Sequence, residues 1–591
     1  MKYSESLLDR LKNTHDYTHC FFVAGGNIMH LLDSARTRFV CVPFTHEVSA
    51  GIAAEYFNQA NENGQRAFVL VTAGPGLTNC VTAIAGAFLE NRELLVIGGQ
   101  VKSSDLKSDN MRQNGIQEID GVELVKSITR RSLQLSSSFP MEKVDEILWS
   151  THRPGPVFFE IPLDQQAHSI SDLPANNNHN PGKFTDIEAE TEFILKLVEA
   201  LSIAERPILL LGGGLDSTES RKFVPILENL GIPIMTTWNG INHYGSNNKN
   251  YWGRPNTWGQ RSSNILIQQC DLLIAVGSRL SLQQTGFAWQ EFCPLAEIYQ
   301  IEIDKTEIEK GHPRISEYLI SDADSFLSNF LRAYSYHKDK FIDWISFGNF
   351  VRSNVPLVDQ QNVTNKGFVS PYDFISQLSK ELKEDDVIIP CSSGGAFTVT
   401  MQALENKLGQ TIISNKGLAS MGYGLAGAIG ASIATNRRTI LIEGDGGFIQ
   451  NLQELGTLNQ LGANLIIFLF SNQGYASIRM TQRNYFGGAY IGCDNKTGLG
   501  LPDWESICDG YQVRYFKLDD SNLCPAFLQS ILQMEGPVLV EVGIDPEQTY
   551  WPKIESRMLP DGSMASNPLH MMTPLLDSAE VEKFLPYLLT D

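Results

Sequence analysis

The chain lacks the sequence features of disulfide-stapled, zinc-binding and membrane-embedded proteins. Its nine cysteines in 591 residues form no C-x-x-C pair and no Cys/His ligand cluster, so neither a zinc site nor a disulfide framework is indicated. No apolar stretch reaches the ~20 residues that are needed to span a bilayer. The first residues, Met1–Ser6, are polar and include an acid, unlike a signal peptide. We therefore expect a cytoplasmic protein with reduced thiols.

Positive charge is also scarce. The chain has 46 Lys and Arg against 67 Asp and Glu, and its formal net charge is −21. Binding to nucleic acid relies on basic patches, so this balance argues against nucleic-acid partners and against anionic membrane surfaces. With 42% hydrophobic and 19% charged residues, the chain is globular, and its length suits three or four domains.

Strand and helix patterns alternate in three blocks, which predicts an α/β protein with three doubly wound parallel-sheet domains. The predicted boundaries are 1–172, 184–352 and 366–549, followed by a tail over 550–591 that is loop-rich and then helical. The stretch Pro174–Lys183 is rich in Asn and Pro and is interpreted as a linker.

The most informative motif pairs a glycine-rich turn around Asp445 with Asn472, which follows the next predicted strand. Two short apolar runs, 439–442 and 465–470, have the composition of strands buried on both faces of a parallel sheet. Leucines at every third residue between them predict a crossover helix whose N-terminus faces the turn. Carboxylate oxygens suit Mg²⁺, and glycines let a phosphate approach the backbone. The motif predicts a site for a magnesium-bound diphosphate, with Gly444, Gly446 and Gly447 in the turn.

The separation of 27 residues between Asp445 and Asn472 resembles the metal and diphosphate motif of the thiamine-diphosphate-dependent enzymes. The resemblance implies that Asp445, Asn472 and the backbone carbonyl of Gly474 bind the metal. A Gly-Asp-Gly tripeptide alone is more often an ordinary turn. The spacing and the flanking strands favour the metal site here.

Glu47 is the second candidate. It follows the predicted strand 39–44 at the start of a helix rich in small residues, and it resembles the glutamate with which this family activates the aminopyrimidine ring of the cofactor. The alternative is an acid that only complements the helix dipole. In this family the cofactor lies between the first domain of one subunit and the third domain of another, so a homodimer or homotetramer is implied.

Further segments resemble the acetolactate-synthase-like branch of the family. The Gly-Pro-Gly loop in Val69–Asn79 and the Gly417–Gly424 stretch match that branch, with Met421 as the wedge between the cofactor rings, or alternatively as an ordinary core methionine. Gln117 is expected to line the active site on the wall opposite Tyr475, Ile478 and Gln482. We also expect cofactor contacts at Gly394, Gly395, Ala396, Gly444, Gly446, Gly447, Tyr475 and Ala476, and substrate contacts at Gly26, Ile478 and Gln482.

The central block has the features of a second nucleotide site. Three glycines, 212–214, follow a predicted strand, and two further strands end near Arg279 and Asp304. These segments resemble the FAD-binding segments of acetolactate synthases, which implies contacts at Gly212, Gly213, Arg279, Asp304 and Arg153. The alternative is a central domain that only packs.

The resemblance implies an enzyme that uses thiamine diphosphate and Mg²⁺ to decarboxylate a 2-oxo acid, with pyruvate as the expected donor, and adds the two-carbon unit to a carbonyl acceptor. Gln283 stands where acetolactate synthases have an arginine for the acceptor carboxylate, so an acceptor without that group is plausible. The segment Pro552–Arg557, together with Pro568–Met572, resembles a subgroup of acetolactate-synthase-like proteins, some of which attach a two-carbon unit to keto sugars. A simple decarboxylase, a lyase acting on acyl-CoA and a noncatalytic nucleotide-binding subunit are the alternatives.

Overall fold

Three parallel sheets form the framework of the chain. The computed structural model describes residues 1–108, 110–149, 154–170, 186–334 and 340–589, and the predicted linker Pro174–Lys183 lies outside these ranges. Each sheet is formed by the parallel strands of one of the three predicted blocks, with helices between the strands along the chain. The predicted fold class of three doubly wound α/β units is therefore confirmed. Among the described residues, no helix combines the length and apolarity that a membrane crossing requires.

The first unit is a sheet of six parallel strands. Its elements are α1 (Tyr3–Thr14), β1 (Tyr17–Phe22), α2 (Met29–Ala35), β2 (Val40–Pro43), α3 (Glu47–Ala60), β3 (Arg66–Val71), α4 (Pro75–Leu89), β4 (Leu94–Gln100), α5 (Gly121–Val125), β5 (Arg131–Gln134), α6 (Met141–Leu148), β6 (Pro156–Pro162) and α7 (Leu163–Ala167). The strand order is β2-β1-β3-β4-β6-β5. Strands β3, β4 and β6 are buried almost throughout, as their continuous apolar runs require.

The central unit is a sheet of five parallel strands. Its elements are α8 (Ile187–Ile203), β7 (Pro207–Leu211), α9 (Ser217–Arg221), α10 (Val224–Leu227), β8 (Ile234–Thr236), α11 (Arg261–Ile267), β9 (Leu272–Val276), α12 (Leu282–Thr285), β10 (Glu297–Glu302), α13 (Lys305–Glu309), β11 (Glu317–Ile320), α14 (Ala323–Ala333) and α15 (Ile342–Asn354). The strand order is β11-β10-β9-β7-β8.

The third unit repeats the topology of the first. Its elements are α16 (Pro371–Glu381), β12 (Val387–Ile389), α17 (Gly394–Ala403), β13 (Thr411–Ile412), α18 (Tyr423–Thr435), β14 (Thr439–Gly444), α19 (Asp445–Phe448), α20 (Glu454–Leu461), β15 (Leu465–Ser471), α21 (Ala476–Phe486), α22 (Trp504–Tyr511), β16 (Arg514–Leu518), α23 (Pro525–Leu532) and β17 (Val538–Gly543). The order β13-β12-β14-β15-β17-β16 matches the first sheet strand for strand. This repeat of topology was not predicted from the sequence.

The tail was predicted to be loop-rich and then helical, and it also contains an antiparallel hairpin. Strands β18 (Ser556–Met558) and β19 (Met564–Ser566) pair with each other before helix α24 (Ser578–Phe584). The hairpin strands are only three residues long, too short for a period-of-two pattern to be visible in the sequence.

The first and third units share one hydrophobic core, and helices α3 and α18 lie at its centre. Small residues let the two backbones approach closely: Gly430 lies against the carbonyl group of Ala53, and Gly427 lies against the ring of Tyr56. Along the contact, the residue numbers therefore rise on α18 as they fall on α3. The two helices therefore pack antiparallel.

Candidate active site

Asp445 and Asn472 lie together at the carboxyl edge of the third sheet. Strands β14 and β15 are parallel neighbours, with Gly444 opposite Phe470, so the residues that follow them emerge side by side. The Asp445 carboxylate is fully buried and accepts hydrogen bonds from the backbone N–H groups of Gly446 (2.7 Å), Asn472 (3.1 Å) and Gly474 (3.1 Å). Burial raises the pKa of Asp445 to about 7.

Three oxygen atoms converge at this point. The side-chain oxygen of Asn472 lies 2.8 Å from the carbonyl oxygen of Gly474 and 3.2 Å from Oδ1 of Asp445. Oxygens at these distances repel each other, and without a cation the amide would turn its nitrogen inward to donate to both. Adjacent ligands of an octahedral Mg²⁺ at about 2.1 Å are about 3 Å apart. The three predicted ligands therefore fit a magnesium ion.

Arg479 supports this loop, and sequence reasoning missed it. The side chain lies on α21, is buried, and donates hydrogen bonds to the carbonyl groups of Asn472 (2.6 Å), Gln473 (3.0 Å) and Pro546 (3.2 Å). Its signal in the sequence was a cation seven residues after Asn472, about one turn into the predicted helix. A buried guanidinium that binds only carbonyl groups fixes backbone position.

We expect Arg479→Ala to weaken the binding of thiamine diphosphate by at least about 10-fold and to lower the free energy of unfolding by about 2–4 kcal/mol, because three buried carbonyl groups lose their donor. Calorimetric titration and thermal unfolding measure the two effects. Arg332→Ala, which removes an exposed arginine of the central unit, is the matched control and should change neither. Unchanged affinity and stability in the Arg479 variant would show that the loop holds its shape without this side chain.

The glycines of the turn have different reasons to be glycine. A Cβ at Gly444 would meet no protein atom within 4 Å, so open space for a ligand lies there. A Cβ at Gly446 would lie 2.4 Å from the ring of Tyr475, and one at Gly447 would lie 2.8 Å from the carboxylate of Glu443. The open space at Gly444 fits the predicted approach of a phosphate, and at Gly446 the ring of Tyr475 is a second reason for glycine.

Two more loops reach the same edge. Gly394, Gly395 and Ala396 open helix α17, and Gly395 lies against the ring of Tyr550 from the tail. The Tyr550 phenol is hydrogen-bonded to the side chain of Asn472. Met421 is 38% exposed beside this edge. Sequence reasoning gave Tyr550 no role, because only the fold brings the tail to this loop.

Glu443 is another buried acid that sequence reasoning passed over. It ends the apolar run of β14, and burial raises the pKa of its carboxyl to about 8. The backbone N–H of Leu425, in the first turn of α18, donates to it. An acid inside an otherwise apolar strand was the available signal.

Glu47 lies at the carboxyl edge of the first sheet. It is 9% exposed, it is the first residue of α3, and Nδ2 of Asn79 donates to its Oε2 at 3.0 Å. The Gly74 turn that leads to Asn79 packs on the backbone carbonyl of Gln117, whose φ is +64°. Gly26 follows β1 at the same edge. The fold thus gathers the predicted residues of the first unit.

The predicted substrate contacts on α21 differ from each other. Ile478 is 48% exposed near the metal loop. Gln482 donates to the carbonyl of Ile491 and accepts from its N–H, each at 3.1 Å, so its amide is bound to the protein at both ends. Tyr475 precedes the helix and Ala476 begins it.

Within one chain the two groups of residues lie far apart. Asn79, near the start of α4, binds Glu47, whereas Leu89, at the end of that helix, contacts Gly417 of the Met421 loop. Glu47 begins α3 and Met421 precedes the start of α18, so the antiparallel packing of these helices places the two residues at opposite ends of the helix pair. At 1.5 Å per helical residue, the separation is on the order of 20 Å.

The expected nucleotide segments of the central unit border a cavity of about 840 Å³ between the first and central units. Its lining includes Pro154, Gly213, Gly214, Ile303 and Asp322. Arg153 lies outside the described residues. Its volume lies within the usual range of ligand pockets, and of the predicted contacts it is lined by Gly213 and not by Gly212, Arg279 or Asp304.

Two of the three glycines in the loop 212–214 use their N–H groups in hydrogen bonds within the protein. The N–H of Gly212 donates to Val276 and that of Gly214 donates to Gly277, each at 2.8 Å. Arg279 is 3.9 Å from the carboxylate of Glu307. The side chain of Asp304 caps α13 by accepting from the N–H of Thr306.

His243 beneath this loop makes stability sensitive to acid. Its Nε2 lies 3.0 Å from the carbonyl of Gly212 and its Nδ1 lies 2.7 Å from the hydroxyl of Ser220, an arrangement that suits a neutral ring. Burial lowers the pKa of His243 to about 4. This depressed pKa contributes stability that is fully present above the ordinary value of 6.5 and is lost as pH falls toward 4.

We expect His243→Gln to flatten the loss of thermal stability between about pH 7 and pH 4.5, because the wild-type histidine contributes about 3 kcal/mol to that loss. The melting temperature across this range is the measurement. His570, whose pKa is also lowered to about 4, keeps part of the slope in the variant. An unchanged slope would contradict the assignment, and His30→Gln serves as the control.

Comparison with known proteins identifies the family. Residues 1–124 match the N-terminal TPP binding domain of thiamine pyrophosphate enzymes, residues 194–330 match their central domain, and residues 393–542 match their C-terminal TPP binding domain. Together these matches cover more than half of the chain. The protein belongs to the thiamine pyrophosphate enzymes, and thiamine diphosphate is its cofactor.

Within the family the chain is similar along nearly its whole length to acetolactate synthase large subunits. It is 27% identical to the probable large subunit of Methanocaldococcus jannaschii, with 96% of this chain and 95% of that one covered. It is also 27% identical to the isozyme 2 large subunit of Escherichia coli, with coverage of 94% and 96%. A thiamine diphosphate-dependent 4-hydroxybenzoylformate decarboxylase of Rhodococcus jostii has the same fold, with a TM-score of 0.76 at 19% identity over 92% of this chain and 99% of that one.

Proposed function

We propose that the protein decarboxylates a 2-oxo acid, with pyruvate as donor, and transfers the two-carbon unit to a carbonyl acceptor, using thiamine diphosphate and Mg²⁺. The convergence of oxygens from Asp445, Asn472 and Gly474 carries the proposal, because these three oxygens would suit a magnesium ion at the edge where a diphosphate would bind. Similarity to acetolactate synthases along the whole chain supports the carboligase reaction.

The residues divide the work. Asp445, Asn472 and Gly474 would hold the ion that neutralises the diphosphate. Glu47, oriented by Asn79, would exchange a proton with the aminopyrimidine ring. When bound, thiamine diphosphate supplies a nucleophilic carbon that takes up the 2-oxo acid and stabilises the electrons left by loss of CO₂.

Product analysis separates the proposal from its main alternative. With pyruvate alone, or with an added aldehyde or ketone, a carboligase forms a ligated hydroxyketone, whereas a simple decarboxylase releases free acetaldehyde. We expect the ligated product, identified by mass spectrometry. Free acetaldehyde as the sole product would exclude the carboligase reaction, and no turnover of any 2-oxo acid would exclude both.

The active enzyme is proposed to be at least a dimer. Glu47 and Met421 lie on the order of 20 Å apart within one chain, too far to contact one small cofactor together in the same chain. Exposed apolar side chains at both half-sites, among them Met29, Val40, Met421 and Ile478, support a partner surface.

Mixing two inactive variants tests this arrangement. If each site combines the first unit of one subunit with the third unit of its partner, a mixture of Glu47→Gln and Asp445→Asn chains regains one intact site in each mixed dimer. Random exchange of equal amounts should restore about a quarter of wild-type activity. No recovery after verified subunit exchange would place the whole site within one chain.

FAD in the central unit is a separate proposal. The 840 Å³ cavity beside Gly213 supports it, and Arg279, which lies outside the lining of that cavity, has a side chain that is 39% exposed. Because the N–H groups of Gly212 and Gly214 bond to backbone carbonyl groups, Gly213 is the glycine of the loop that would hold the FAD diphosphate. Native mass spectrometry and flavin absorbance of the purified protein decide the question. A flavin-free enzyme with full activity after incubation with FAD would contradict it.

The sequence also favours a second candidate, a carboligase that branches a keto sugar. Gln283 stands in place of the acceptor-binding arginine, and it lies on the short helix α12. A neutral amide cannot provide the charge-assisted grip on a carboxylate that arginine provides. Competition between pyruvate and a neutral carbonyl acceptor in the product assay compares the two candidates.

A further inference from the structure

Glu454 is a fully buried acid outside the metal site. It is the first residue of α20 in the third unit, nine residues after Asp445. A carboxylate that is removed from water is costly unless hydrogen bonds compensate it. Most of the hydrogen bonds that compensate Glu454 come from the first unit of the same chain.

The Glu454 carboxylate binds the turn that leads into Glu47. Its Oε1 accepts from the hydroxyl of Thr45 at 2.6 Å and from the backbone N–H of His46 at 3.2 Å. Its Oε2 accepts from the backbone N–H of Thr45 at 3.4 Å and from the hydroxyl of Thr457 at 2.6 Å. All four partners donate, an arrangement that suits an ionised carboxylate and gives stronger hydrogen bonds than a neutral acceptor would.

This turn determines where Glu47 lies. His46 is the N-cap of α3 and Glu47 is its first residue, so only His46 separates Thr45 from the acid. At the other end of the Glu47 side chain, Asn79 donates to the carboxylate at 3.0 Å. The backbone of Glu47 is therefore fixed by Glu454, and its carboxyl group is fixed by Asn79.

In the proposed dimer, one segment of the chain would serve two sites. Asp445 would bind the metal in the site whose acid comes from the other subunit. Glu454 would serve the site that contains the acid of its own chain. The two roles can be separated by experiment because they belong to different sites.

We propose that Glu454 is a positioning residue, which fixes the Thr45–His46 turn and so holds the Glu47 carboxyl group where the aminopyrimidine ring of the cofactor would meet it. The proposal rests on the function and the dimer proposed above. It adds a residue of the third unit to the machinery that activates the cofactor.

Two substitutions separate positioning from simple support of the fold. The readout is the exchange of the proton on the nucleophilic carbon of bound thiamine diphosphate with deuterium, followed by quenched-flow NMR, which requires no 2-oxo acid. We expect Glu454→Ala to slow this exchange and to lower kcat with pyruvate at least about 10-fold, because a misplaced acid transfers protons poorly. The KM for pyruvate and the Kd for thiamine diphosphate should change less than about 3-fold.

Glu454→Gln is the conservative variant. Its amide oxygen still accepts from Thr45 and His46, and its nitrogen can donate to the hydroxyl of Thr457. We therefore expect the exchange rate and kcat of this variant to lie within about 3-fold of the wild type. Exchange in the glutamine variant that is as slow as in the alanine variant would overturn the proposal.

Glu62→Ala is the control. It breaks the ion pairs with Arg221 (3.1 Å) and Arg437 (3.6 Å) that also join different units, but Glu62 follows the opposite end of α3 from Glu47. Its exchange rate and kcat should equal those of the wild type. A lower melting temperature of Glu454→Ala with an unchanged exchange rate would mean that Glu454 only supports the fold, and would overturn the proposal.

Mixed dimers locate the effect. In a mixture of Glu47→Gln and Asp445→Asn chains, the intact site takes its Glu47 from the Asp445→Asn chain. Adding Glu454→Ala to that chain should lower the recovered activity at least about 10-fold, whereas adding it to the Glu47→Gln chain should leave the activity within about 2-fold. The reverse pattern would assign Glu454 to the metal loop, and equal loss in both mixtures would make it a general support. Either result would overturn the proposal.

Failure of the proposed function gives a different result. A wild-type enzyme that turns over no 2-oxo acid would refute that function, while the exchange rates of the three variants would still decide the role of Glu454. Mixed dimers that recover no activity even without Glu454→Ala would refute the dimer arrangement, and the exchange rates would again decide.

Discussion

Replacing Glu47 by Gln should reduce turnover of every 2-oxo acid by at least about 100-fold, because the amide cannot exchange a proton with the aminopyrimidine ring. The amide has nearly the same shape as the carboxyl, so the fold and the Asn79 contact should persist. Thiamine diphosphate should therefore still bind with its metal. Steady-state rates with pyruvate, together with calorimetric binding of the cofactor, measure both effects.

Glu188→Gln is the matched control for this substitution. Glu188 also lies in the first turn of a helix, α8, but it is exposed and far from the carboxyl edge of the first sheet. The Glu188→Gln variant should retain wild-type rates. That result would show that the loss of an acid at the start of a helix does not by itself stop turnover. Unchanged turnover in the Glu47 variant would mean that Glu47 only complements the helix dipole.

Replacing Asp445 by Asn should lower the affinity for Mg²⁺ by at least about 100-fold, and with it the retention of thiamine diphosphate. Both carboxylate oxygens of Asp445 accept backbone N–H groups, so an amide nitrogen in either position would face another donor. The loop should therefore lose about 1–3 kcal/mol of stability as well. Metal analysis after gel filtration, and cofactor content by mass spectrometry, give the result.

The control for Asp445 is Asp503→Asn, which changes an exposed acid that caps α22 in the same unit. Its metal and cofactor content should equal that of the wild type. A second check uses chelation: removal of divalent ions should release thiamine diphosphate from the wild type. Full retention of both ligands by the Asp445 variant would refute the ligand set.

The predictions agreed with the structure for features that depend on a few neighbouring residues, such as buried strands. The apolar runs of β14 and β15 could be identified because strands buried on both faces need continuous apolar residues. The turn around Asp445 was predictable for a similar reason, since parallel strands end at a common edge. The close packing of Tyr475 on Gly446 could not be predicted, because the two residues meet only in the folded chain.

Other residues could not be predicted because their partners are distant in sequence. Tyr550 meets Gly395 across more than 150 residues, and the Arg479 guanidinium reaches Pro546. The tail hairpin was missed because its strands are three residues long. No short-range periodicity reports such contacts.

The sequence by itself determined the three parallel-sheet units, the thiamine diphosphate motif and the residues proposed to bind the metal, because spacing and burial patterns act over a few neighbouring residues. Only the tertiary structure decided that the first and third sheets share one topology and one core, that α3 and α18 pack antiparallel, and that the two half-sites of one chain lie far apart. These features depend on how whole helices pack, and packing is set by contacts between residues hundreds of positions apart.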